Sequence, residues 1–158
     1  MSNTNIQTAY EQIRKFYQIS GGLNKGCTEA MLDGVKLQFD LCKEELNEAY
    51  VEFDERNAEA LLQESCDLFF VAAGLLQRLD AAGMNVETAL ARLNETNQSK
   101  FPTLQQHNAT PTLQPEGSNL LSTPYGHVVY LRKSDNKVLK PTNFVKVSMA
   151  GLVPKDFF

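Results

Sequence analysis

Apolar residues recur at three- and four-residue steps through the first hundred positions, the period of helices with one buried face. Ile6, Ala9, Tyr10, Ile13, Phe16 and Tyr17 predict a helix over Thr4–Ser20, capped by Thr4 and stopped at Ser20-Gly21-Gly22. A loop over Leu23–Thr28 leads to a second helix, Glu29–Glu55, in which Gly34 is a candidate break. Asp54–Asn57 reads as a turn, and Ala58–Ala81 as a third helix whose middle, Leu68–Leu76, is apolar nearly all round. A fourth helix starts at Asn85, runs to about Asn97, and cannot continue far past Pro102.

Beyond Pro102 the pattern changes. Residues 103–124 are rich in Gln, Asn, Thr, Pro and Ser with little periodicity, and read as a linker or wrapping segment. His127–Arg132 and Lys137–Lys140 flank Ser134-Asp135-Asn136, a β-hairpin signal. The pattern therefore predicts an all-α fold, a four-to-five-helix bundle over 1–101. An extended tail over 102–158 follows, with a small hairpin within 127–140.

Charge changes the picture at one place. The net charge is −4 over 158 residues, which argues against a nucleic-acid binder, since that needs a basic footprint. The acidity concentrates between Lys43 and Asp67. Cys27, Cys42 and Cys66 have no C-x-x-C spacing, and the two histidines lie in the C-terminal third, so a zinc site is not expected. No apolar run approaches the roughly 20 residues that span a bilayer, and the first five residues are polar. No membrane segment and a cytoplasmic location are expected.

Within the acidic stretch, Glu45 and Glu48 are three apart on the second helix, and Glu64 and Asp67 are three apart on the third. An i,i+3 pair shares one helix face, about 60° apart around the axis. Leu61, Leu68, Val71 and Leu75 fall within about 60° of Glu64, so its stripe is apolar. No Arg or Lys is spaced to neutralise the four carboxylates, and bare charge on an apolar stripe is costly. A hard divalent cation would resolve this: magnesium, with manganese as the alternative. A solvated acidic face is the competing explanation, and for a single E-x-x-E the better one.

Glu45-x-x-Glu48, fifteen residues, then Glu64-x-x-Asp67 resembles the signature of the all-α nucleoside triphosphate pyrophosphohydrolases. That superfamily takes in the MazG-like proteins, dimeric dUTPases, dCTP pyrophosphatases and phosphoribosyl-ATP pyrophosphohydrolases. Leu41–Glu48 is similar to its first metal helix, Glu64–Leu68 to its second, Ala9–Gly21 to its aromatic first helix, and Asn97-Gln98-Ser99-Lys100 to an N-x-S-K element. The likeness covers residues 6–101 well; in the tail only Lys137–Pro141 resembles a motif of some MazG-like members.

The resemblance implies magnesium-dependent hydrolysis of a nucleoside triphosphate, a dNTP or noncanonical nucleotide, to the monophosphate and pyrophosphate. It implies Glu45, Glu48, Glu64 and Asp67 as metal ligands, with Asn97 and Lys100 on substrate phosphate. Glu44, about 40° from Glu48 on the helix, is the candidate general base. Phe16 and Tyr17 are candidates for stacking on the base, although aromatics at helical spacing more often build core. A homodimer or dimer of dimers is expected. The alternatives are a phosphoribosyl-nucleotide substrate, and a non-enzymatic helical module whose acidic face binds a basic partner.

Overall fold

The computed structural model describes residues 6–23, 26 and 28–157. The cap expected at Thr4 and the residues Lys25 and Cys27 lie outside this set. The described chain is mainly helical, with α1 (Ile6–Ile19), α2 (Glu29–Asp54), α3 (Ala58–Ala81), α4 (Val86–Gln98) and α5 (Leu104–Ala109). A 3-10 turn (Pro111–Leu113) and strands β1 (Ser118–Ser122), β2 (Val128–Arg132) and β3 (Val138–Leu139) follow. The expected helical bundle with a C-terminal hairpin is present. Among the described residues, no helix is long and apolar enough to cross a membrane.

Two compact units result: Met1–Val86 with Gly151–Phe158, and Glu87–Ala150. In the first, α2 and α3 form a long antiparallel hairpin. Thr28 caps α2 by accepting from the Met31 N–H, and Asn57 caps α3 by accepting from the Ala60 N–H. Gly34 does not break α2, which runs unbroken for 26 residues. The glycine lets the Arg78 guanidinium pack closely, since a Cβ there would lie 2.7 Å from it and the arginine would have to shift.

The second half of α3 packs against α1 and the first half of α2. Ile13, Tyr17 and Ala73 form one buried cluster, and Met31, Val35, Ala82 and Phe157 another. Phe157 comes from the C-terminal residues, which return to this unit; the Asn85 N–H bonds the Leu152 carbonyl at 2.9 Å. Most buried polar groups here are matched, Gln77 Oε1 being the exception. Gln38, fully buried, donates to the Tyr17 hydroxyl at 2.8 Å and the Val71 carbonyl at 2.9 Å, and accepts from Arg78 at 3.0 Å. Arg78 also donates to the Gly22 carbonyl and lies over the Tyr17 ring. Gly74 leaves room for that ring, which any Cβ would overlap.

In the second unit the order β1-β2-β3 is antiparallel throughout. Tyr130 faces Leu139 and Leu131 faces Val138, the expected hairpin, with Asn136 at φ 56 in its turn. The segment 103–124 is not a featureless linker. Thr103 and Gln106 form a reciprocal capping box that nucleates α5, Pro111 opens the 3-10 turn, and 118–122 adds β1. The strand eluded the hydrophobic pattern because four of its five positions are exposed.

Candidate metal centre

The carboxylates sit in the other half of the α2/α3 hairpin, beyond the reach of the described α1 contacts. Each helix carries its pair three residues apart, and the antiparallel packing turns the pairs toward each other. One carboxylate oxygen each from Glu45, Glu48 and Glu64 lies within 4.8 Å of the other two. Glu45 and Glu64 are half-buried and Glu48 is exposed. Asp67, half-buried, stands outside this triad, yet its charge acts on both Glu45 and Glu64.

The electrostatics are those of like charges held together. Burial, then the Glu48, Asp67 and Glu44 charges, push the Glu45 carboxyl above its ordinary range. Glu64 is pushed up by burial, by the charges of Glu48, Asp67 and Glu45, and by a hydrogen bond with Glu48. Among the described residues the ion pairs are Arg14–Asp80, Lys43–Asp40 and Arg132–Asp135, so none reaches the cluster. Lys43, the nearest cation in sequence, is held by Asp40 at 3.2 Å.

The donor set fits a hard cation: converging carboxylate oxygens, no imidazole, and no activated thiol. Cys42 is half-buried, and burial, then the Glu45 charge, raise its thiol, which makes it a poor nucleophile and a poor soft ligand. Val71, on the Glu64 stripe, is buried, and Leu61, Leu68 and Leu75 are half-buried, so an apolar seam underlies the carboxylates.

One residue was missed by the sequence reading. Glu52 lies seven residues beyond Glu45, hence on nearly the same face of α2, and its Oε2 is buried with no hydrogen-bond partner. The run Glu45, Glu48, Glu52 at steps of three and four is its signal in the sequence.

The remaining candidates separate. Glu44 is exposed and adds its charge to Glu45. Tyr17 is buried with its hydroxyl bonded, so it belongs to the core and is not a free stacking surface. Phe16 is exposed and packs edge-on to Tyr17 and Phe70. Asn97 and Lys100 fall in the second unit, where the Lys100 ammonium donates to the Asn97 side chain at 2.7 Å. A groove of about 920 Å³ in that unit is lined by Gln98, Phe101, His127 and Phe144 among others, and holds no carboxylate cluster. Comparison with family models, curated proteins and solved structures gives no match to this chain.

Proposed function

We propose that this protein is a magnesium-dependent pyrophosphohydrolase of nucleoside triphosphates, related to the MazG-like all-α enzymes. The observation that carries the reading is the convergence of Glu45, Glu48 and Glu64 oxygens within 4.8 Å, with no ion pair to them among the described residues. Such a site is unstable by itself and is satisfied by a divalent cation. Glu45, Glu48, Glu64 and Asp67 would hold it, and Glu52 is a candidate to anchor the cluster from the next turn.

Magnesium, when bound, would supply the positive field that a net-acidic chain needs to hold a triphosphate and would favour attack on phosphorus. The protein groups do the rest. The carboxylate pairs would hold that cation, and so the place of the phosphates, from two helices rather than from a loop. Glu44, exposed on the rim and next to Glu45, accepts the proton of the attacking water. The bond cut lies between the α and β phosphates, giving the monophosphate and pyrophosphate.

The test is pyrophosphate release from a panel of NTPs, dNTPs and a phosphoribosyl-nucleotide, with Mg²⁺ or Mn²⁺ against EDTA. Metal-dependent release from at least one triphosphate is expected. No release from any of them overturns the reading. Glu48→Gln is expected to abolish turnover with its helical circular dichroism unchanged, and full activity in that variant refutes the site. Glu44→Gln is expected to lower kcat while Mg²⁺ affinity, followed by calorimetry, stays near that of the wild type.

A further inference from the structure

The second unit holds a groove that the proposed chemistry does not use. At about 920 Å³ it falls within the size of cavities that hold small organic molecules. Its described lining residues all belong to Glu87–Ala150, so one unit builds it whole. Part of the lining is buried and apolar: Pro102, Leu113 and Pro141. Phe101 and Phe144 are half-buried, so each keeps part of its side chain for an occupant.

Charge narrows what fits. Among the described lining residues none is Lys or Arg, and Glu95 is the single carboxylate. Two cations close by in the chain are engaged. The Lys140 ammonium lies over the Phe144 ring, 4.5 Å from its centroid, and Lys100 donates to the Asn97 side chain at 2.7 Å. The lining therefore does not suit a phosphate, which calls for Arg, Lys or a metal.

Hydrogen bonding narrows it further. His127 Nδ1 stands 2.7 Å from the Phe101 carbonyl, which can only accept, so the ring hydrogen sits on Nδ1. The neutral ring then leaves Nε2 as an acceptor. The Gln106 Oε1 accepts from the Thr103 N–H at 2.8 Å, which leaves its amide hydrogens as donors. The exposed Asn143 amide offers both kinds of group. None of the described lining residues belongs to β1, β2 or β3, so the groove has no open strand edge on which an extended peptide could add.

We propose that this groove binds a flat aromatic heterocycle that carries an amino group and no phosphate, of the kind found in an aminated nucleoside. Phe101 and Phe144 supply aromatic surface for its ring. His127 and Glu95 accept from its amino group, and the Gln106 and Asn143 amides donate to its ring nitrogens. The Glu95 carboxylate repels a phosphorylated form. This chemistry is opposite to that of the carboxylate cluster, which calls for a cation, and the inference does not rest on the proposed reaction.

The test is calorimetry on the full chain in EDTA, so that no metal recruits phosphate. The probes are adenosine and cytidine, their oxo counterparts inosine and uridine, and AMP. At least one amino nucleoside is expected to bind, roughly tenfold tighter than its oxo counterpart, which leaves the acceptors unpaired. Phe144→Ala is expected to weaken that binding about tenfold, the worth of one base–aromatic contact. Wild type is expected to prefer adenosine to AMP, and Glu95→Lys to reverse that order. No binding of either amino nucleoside, or equal binding of amino and oxo forms, overturns the proposal. Affinity indifferent to both Phe144→Ala and Glu95→Lys also overturns it. Should a variant unfold, nuclear magnetic resonance of the wild type decides instead. Adenosine or cytidine shifting the Phe101 and His127 resonances supports the groove, and shifts confined to the first unit refute it.

Discussion

The two halves of one helical hairpin treat polar groups in opposite ways. At the closed half, where α1 crosses α3, the Gln38 amide, the Tyr17 hydroxyl and the Arg78 guanidinium meet donors with acceptors. At the open half, Glu45, Glu48 and Glu64 bring acceptor to acceptor and charge to like charge. The same α2 and α3 build both, so helix packing alone does not explain the difference. A buried polar network with matched partners specifies a fold. Converging carboxylates without a matched partner oppose it. Gln77 blurs the contrast slightly, since its Oε1 is buried without a partner while its amide donates to Tyr10.

The comparison breaks most visibly under substitution at the open half. Glu64→Gln is expected to lower metal-dependent turnover on the order of 10³-fold, read as pyrophosphate release, while thermal stability in EDTA does not fall. The closed half should respond in the reverse manner. Gly74→Ala drives a methyl into the Tyr17 ring and is expected to cost about 2 kcal/mol of stability, measured by urea unfolding. Magnesium affinity of whatever remains folded should be little altered. Loss of metal binding without loss of stability in Gly74→Ala would show that the halves are not separable.

The smallest effect is in pH dependence. Burial and neighbouring charges raise Glu45 and Glu64 in the folded state. A carboxyl raised on folding favours the folded state while protonated, and that contribution is lost as pH rises through the folded value. In EDTA the melting temperature should therefore decline as pH climbs out of the ordinary glutamate range, about 4.3, toward neutrality. Glu64→Gln should flatten the decline, and magnesium should remove it by neutralising the cluster. A wild-type decline identical to that of Glu64→Gln would place the pH effect elsewhere.

The helices were legible because each records its buried face in a three- to four-residue period, and Asn57, Gly21 and Pro102 act through local backbone chemistry. The carboxylate pairs were legible for the same reason, since i,i+3 spacing determines a shared face before any packing occurs. β1 was not legible, because a strand paired on one edge and exposed at four positions leaves no alternation to read. Gly34 was misjudged because its cause, the Arg78 guanidinium, lies 44 residues away.

The chain by itself determined which faces exist, the acidic pairs, the apolar stripe beside Glu64 and the aromatic first helix, since periodicity along a helix is a one-dimensional property. Which of these faces meet, and what each is left facing, was decided only by the tertiary structure. Tyr17, a stacking candidate by sequence, became core when Gly74 and Gln38 closed over it. Glu45 and Glu64, nineteen positions apart, became one site when two helices ran antiparallel. Distances between side chains on different elements depend on register and rotation, and a linear sequence does not carry those coordinates locally.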